Sequence, residues 1–179
     1  MIADLSDDLA DRGDERPSQS EIRQAVIEIR DRKFPYPREE RGGNAGSFFK
    51  NPTLNAGEWT SLEARVRARF GDAARGRLLA STSRTRPGAA GANGSDSVKI
   101  PAALLIDLCG LKGFEAGRAQ VNPSQPLVIL NQGGATAGDV LRVAGHVRRT
   151  VHRETGVVLE LEPELAGFSP QEVERHIGI

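Results

Sequence analysis

The 179-residue chain has little aromatic material, 4% of its residues, and only one cysteine, one tryptophan and one tyrosine. Each scarcity excludes something. A lone Cys109 cannot close an internal disulfide, which suits a reducing compartment. Few aromatic rings mean that any core is mostly aliphatic. The 24 Lys and Arg are matched by 24 Asp and Glu, so no global field draws the chain to nucleic acid or anionic lipid. Apolar runs such as Pro101–Ile106 are far too short to span a bilayer. Residues 1–16 are acidic and lack an apolar h-region, so no secretory signal is expected. No Cys/His cluster has zinc spacing, and no metal site is expected. Gly133-Gly134 ahead of a helix falls short of a phosphate loop. The bulk properties therefore predict a soluble, cytoplasmic protein of one domain, or one domain with an appendage, that binds neither nucleic acid nor membrane.

What is present is well punctuated. Ala3–Asp11 reads as a short polar helix. Ser18 with Glu21 forms a capping box, and Ile22, Val26 and Ile29 recur at helical spacing through Arg32. Pro35 and Pro37 end that helix, and 39–46 reads as loop. Thr60 with Glu63 forms a second box, followed by the stripe Leu62, Val66 and Phe70. Gly71–Ser97 is rich in Gly, Ala, Ser and Arg and is expected to be largely a flexible loop. Pro101 suits the first position of a helix through Cys109, stopped by Gly110. Ala119–Val121, Leu127–Leu130 and Val157–Leu161 read as strands. Between the last two, Thr136–Asp139 caps a helix with Val140, Val143, Val147 and Val151 on one face, ended by Gly156. Ser169 opens a last short helix. The pattern predicts an α+β fold, a small, mostly antiparallel sheet with helices packed on one side.

The stretch Gly43-Asn44-Ala45-Gly46-Ser47-Phe48-Phe49-Lys50-Asn51-Pro52 holds two of the six phenylalanines. It reads as a short buried strand with Ser47 at a turn. Ser47 is either a turn serine bonding its own backbone or a proton donor held against an apolar wall. His146 and His152 fall on the exposed side of the valine-striped helix and His176 lies near the terminus, so a Ser-His triad has no support. In Leu159–Leu165, alternation turns Leu159 and Leu161 inward and puts Glu160, Glu162 and Glu164 on the other face. Those carboxylates form a solvated acidic face, unless one enters a cleft that raises its pKa. Lys33, Lys50 and Lys112 are solvent-facing or phosphate-binding. Gln125 is a turn residue or an amide that reads a sugar or peptide-like group.

Four ordered blocks resemble the UDP-N-acetylenolpyruvoylglucosamine reductase family (UDP-N-acetylmuramate dehydrogenase). They are Gly43–Pro52; Lys99–Ala103 with Leu105-Ile106 and Gly110–Gly113; Leu130-Asn131 through Asp139-Val140; and Leu161–Leu165. The resemblance covers only the family's C-terminal half, without its glycine-rich FAD-binding region. It implies that residues 1–32 resemble the helical tail of the flavin domain and that 33–179 form the substrate-binding domain. It also implies the chemistry: reduced FAD, recharged by NADPH, passes a hydride to C3 of the enolpyruvyl group of UDP-N-acetylglucosamine enolpyruvate. Ser47 matches the serine that protonates C2, and Glu164 the glutamate that stabilises the enolate. Lys33, Asn51 and Gln125 match substrate-binding positions. Lys112 lies in a matching block without an assigned role. FAD is then expected on a missing domain or a separate chain. The alternatives are a non-catalytic UDP-sugar-binding remnant and a truncated, inactive product.

Overall fold

The computed structural model describes residues 17–33, 42–85 and 97–179. Helix α1 spans Gln19–Lys33. Its capping box forms as expected: Ser18 donates its N–H and hydroxyl to Glu21 at 2.7 and 2.6 Å. The buried positions are Ala25 and Ile29, while Ile22 is exposed, so the inward face is rotated from the expected stripe. That face lies outside the main apolar cluster. Ala3–Asp11 and the proline pair at 35 and 37 lie outside the described residues.

Helix α2, Ala56–Ser81, corrects two expectations. It starts a turn earlier than the Thr60 box. Asn55 accepts the Gly57 and Glu58 N–H groups at 2.9 and 3.0 Å, and Glu58 accepts the Asn55 N–H at 2.8 Å. Thr60 instead donates its hydroxyl to the Ala56 carbonyl. The earlier start puts Trp59 on the helix, where it is buried with Leu62 and Val66. The second correction concerns Gly71–Ser97. Gly71, at φ 85°, breaks the helix, and a positive φ is cheap only without a Cβ. Beyond it the chain is helical to Ser81, burying Ala74 and Leu78. Arg75 reaches back across the kink to Glu63 at 2.7 Å. Low side-chain bulk, read as a loop signal, here lets the second arm pack closely. Residues 86–96 of that stretch lie outside the described residues.

Two small antiparallel sheets replace the single one expected. The first orders Gly43–Ser47 (β1), Val128–Asn131 (β7), Ala119–Val121 (β6) and Glu115–Ala116 (β5) as β1-β7-β6-β5. The second orders Thr53–Asn55 (β2), Ser97–Lys99 (β4) and Ser83–Thr85 (β3) as β2-β4-β3. The end of the expected 39–46 loop, from Gly43 on, is therefore strand β1. Helix α3 is Ala102–Leu108, with Pro101 as its N-cap rather than its first residue. Helix α4, Ala137–Thr155, starts at the expected Thr136–Asp139 box and stops at Gly156, φ 79°. Its Val143, Val147 and Val151 are fully buried, and it packs on β5, β6 and β7 and against α2 and α3. Helix α5, Pro170–Ile177, lies along α4. The fold is α+β, as the sequence predicts, with one apolar cluster joining both sheets to α2, α3 and α4.

Val157–Leu161 does not become a ladder strand. It makes one antiparallel bridge, Phe49 to Leu161. Two features stop the pairing: the Phe48 N–H is already spent on the Leu127 carbonyl, and Pro52, which would face Val158 at a hydrogen-bonding position, has no N–H to give.

Candidate functional site

Phe48 is where three parts of the chain meet. Its N–H donates to the Leu127 carbonyl at 2.8 Å, and its own carbonyl accepts the Glu162 N–H at 3.0 Å. Two residues on, the Lys50 N–H donates to the Glu160 carbonyl at 2.9 Å. Phe48 and Phe49 are both buried, with ring centroids 5.6 Å apart in an edge-on pair. Burying two adjacent rings fixes the backbone between them, so the segments bonded to it share one frame.

Three of the sequence candidates hang on that frame. Ser47 precedes Phe48 at the end of β1, opposite Val128, past a break in register after Asn44. It is exposed, and its hydroxyl has no hydrogen-bond partner among the described residues. Gln125 lies two residues before Leu127, half-exposed in the β6–β7 turn, where its carbonyl accepts the Val128 N–H at 2.9 Å. Glu164 lies two residues past Glu162 and is exposed, as are Glu160 and Glu162. The chain thus gathers residues 47, 125 and 164 to within two positions of hydrogen bonds to one residue.

The remaining candidates are placed differently. Asn51 accepts the Ala102 N–H at 2.8 Å through Oδ1, capping α3, whose own N-cap proline has no side-chain acceptor. Lys33 is the last residue of α1. Lys50 pairs with Glu160 at 3.5 Å, both exposed. Lys112 pairs with Asp107 at 2.9 Å, and Arg77 joins the same carboxylate. Burial works to raise the Asp107 pKa, but the two cations together hold it below the ordinary range. The Asp107 carboxylate on α3 thus ties Arg77 of α2 to Lys112 in the following turn.

Sequence reasoning missed Asn122 and misplaced His146. Asn122 is buried at 4% exposure, and its Oδ1 accepts the Ser124 and Gln125 N–H groups at 2.8 and 3.2 Å. It builds the turn that presents Gln125, and Asn122-Pro123 was the available signal. His146 corrects an expectation. It is half-buried and stacked on Phe114, centroids 3.9 Å apart, rather than on an exposed face. Burial first, then Arg149 and Arg153, lowers its pKa.

A cavity of about 670 Å³ opens beside Asn51, between β2, the start of α2 and the Thr155–Glu160 segment. Ser47, Gln125 and Glu164 do not line it; its walls carry Lys50, Arg65, Glu58 and Glu160, charges of both signs. Among the described residues no cluster of His, Cys, Asp and Glu could hold a metal ion, and no helix is long and apolar enough to cross a membrane.

Residues 36–166 match the family described as UDP-N-acetylenolpyruvoylglucosamine reductase, C-terminal domain. The chain is 41% identical over 163 residues to the UDP-N-acetylenolpyruvoylglucosamine reductase of Burkholderia ambifaria, covering 90% of this chain and 41% of that protein. It is 39% identical over 147 residues to the protein of that name from Shewanella baltica, covering 82% of this chain and 37% of the relative. The chain thus spans about two fifths of the length of these relatives.

Proposed function

Because the chain belongs to the UDP-N-acetylenolpyruvoylglucosamine reductase family through its C-terminal domain, we propose that it supplies the substrate-binding and proton-donating part of that oxidoreductase. The substrate is UDP-N-acetylglucosamine enolpyruvate, and the product is UDP-N-acetylmuramate for the cell wall. Residues 33–179 form this part, and 1–32 form the tail of a flavin domain. FAD sits on that other domain, in the same polypeptide or a separate one, and NADPH is the reductant.

The supporting observation is the joint at Phe48, which ties the segments of Ser47, Gln125 and Glu164 together. In this reading Ser47 Oγ delivers its proton to C2 of the enolpyruvyl group. A hydroxyl is a weak acid, so it serves only when aligned on a strongly basic carbon with water kept out. The buried Phe48 and Phe49 rings form the apolar wall behind it. A hydroxyl with no partner among the described residues is free to turn toward substrate. Glu164 stabilises the charge that develops as the enolate forms. Lys33 and Gln125 hold the substrate. Asn51 spends Oδ1 on the α3 cap, which leaves its NH₂ group to donate to the substrate's acceptor oxygens.

The described residues do not fit the flavin diphosphate. The one glycine-rich turn entering a long helix, Gly133–Thr136, has three of its four N–H groups already bonded. Gly133 and Ala135 donate to Asn131 Oδ1 at 2.9 and 3.0 Å, and Thr136 donates to Asp139 at 2.9 Å. An aspartate already occupies the place an anion would take. No step is therefore assigned to the flavin on this chain.

The test combines the full chain with a separately produced flavin domain of the family and follows NADPH oxidation driven by the enolpyruvyl substrate. Ser47→Ala is expected to lose turnover by about a hundredfold or more while calorimetry still detects substrate binding. Full turnover in Ser47→Ala would refute the role.

A further inference from the structure

We propose that Arg148 is a positioning residue that sets the register between the segment carrying Glu164 and the segment carrying Ser47, an inference that rests on the proposed pairing of those two residues. Arg148 lies on α4 beside Val147, which is fully buried. Its Nε donates to the Leu159 carbonyl at 2.7 Å. Its Nη1 donates to the Ile177 carbonyl at the end of α5. One guanidinium thus gathers acceptors from two segments that have no mutual ladder.

The need for such a clamp follows from the seam itself. Leu159 is fully buried, and a buried carbonyl without a donor is costly. Immediately after it, Glu160 accepts from Lys50 and Glu162 donates to Phe48. Those two bonds make up the single, isolated Phe49–Leu161 bridge. A seam this short cannot fix its own register. The α4 scaffold can, because three buried valines hold the helix and Arg148 carries that rigidity to Leu159. The planar fork matters: it presents several donors at fixed angles, where a lysine offers one flexible point charge. Burial acts against the Arg148 charge, with Glu174 and then Glu160 partly offsetting it. A slip at Leu159 moves Glu164 relative to Ser47, and misplacing a catalytic group by about 1 Å can cost roughly a hundredfold in rate.

Amide hydrogen exchange on the full chain tests the clamp without any assay of turnover. Arg148→Met is expected to speed exchange at the Lys50 and Glu162 N–H groups by about tenfold or more, and to leave the Val121 and Asn122 amides of the β6 region unchanged. Exchange that is unchanged at Lys50 and Glu162, or that rises equally at all four, overturns the proposal. Should Arg148→Met not fold, Arg148→Lys serves in the same comparison, with a smaller but equally localised increase expected. With the flavin domain added, Arg148→Met is expected to lower turnover by about tenfold with substrate affinity changed less than about twofold, and Arg148→Lys to recover part of the loss. If Ser47→Ala keeps full turnover, the pairing itself falls. If Ser47→Ala is inactive while Arg148→Met turns over normally, the positioning role alone falls.

Discussion

Asn51 Oδ1 lies 2.8 Å from the Ala102 backbone nitrogen, so a side chain from the Ser47 segment closes the open end of α3. Pro101 cannot do this, having no acceptor on its side chain. The same segment that carries the candidate proton donor therefore also caps a neighbouring helix.

Removing that cap by Asn51→Ala is expected to cost about 1 kcal/mol, read as a lower urea midpoint at unchanged slope. Asn51→Asp keeps an acceptor for the Ala102 N–H and should retain most of the stability. It should nevertheless weaken binding of the anionic substrate, because a carboxylate replaces the NH₂ donor. Equal losses of stability in the two variants would argue against the cap.

Gly145 tests the packing of α4 on α5. In a free helix Gly→Ala stabilises by about 0.5–1 kcal/mol. Here a Cβ at residue 145 would collide with the His176 carbonyl oxygen, backbone that cannot swing aside. Gly145→Ala is expected to reverse the usual sign, lowering the melting temperature and exposing the C-terminal helix to limited proteolysis. A raised melting temperature would contradict this packing.

His146 gives a pH dependence whose sign is fixed. Burial, with Arg149 and Arg153, lowers its pKa in the folded chain below the ordinary value near 6.5. The unfolded chain then binds the proton more readily. The stability that neutral His146 contributes is present above the unfolded pKa, and it is lost as pH falls through the lowered folded value. Unfolding free energies measured between pH 7 and pH 5 should fall in the parent chain. In His146→Phe, which keeps a ring against Phe114, the fall over that interval should be smaller. An unchanged profile would mean that another group sets it.

Cys109 should be slow to react. Burial foremost, then Glu154, pushes its thiol up to about 11 from 9.0, with Arg153 opposing. Two units reduce the thiolate fraction at pH 8 by roughly a hundredfold. Alkylation by iodoacetamide is expected to be slower than in urea-unfolded chain by about that factor. Equal rates would show that the thiol is not shielded.

The local signals were legible wherever few residues suffice to decide. The boxes at Ser18–Glu21, Thr136–Asp139 and Ser169–Glu172 all form, because a cap bonds within four residues. The valine face of α4 reads directly from its period. The box at Thr60–Glu63 was read as the start of α2, and the Asn55–Glu58 box that starts it was missed, since burial of Trp59 is a tertiary term. Asp72–Ser81 looked like loop because its small residues gain burial only when folded against the first arm of α2. His146 looked exposed because its partner, Phe114, comes from a distant turn.

Of the candidate site, the sequence carried the residue types, the order of their blocks and the resemblance they make. It could not carry the backbone bonds of Leu127 and Glu162 to Phe48, the cap that Asn51 lends to α3, or the hold of Arg148 on Leu159. Composition and periodicity encode contacts a few residues apart, where chain geometry restricts the choices. Contacts between distant segments depend on how the whole apolar cluster closes, and only the folded chain settles which carbonyl meets which donor.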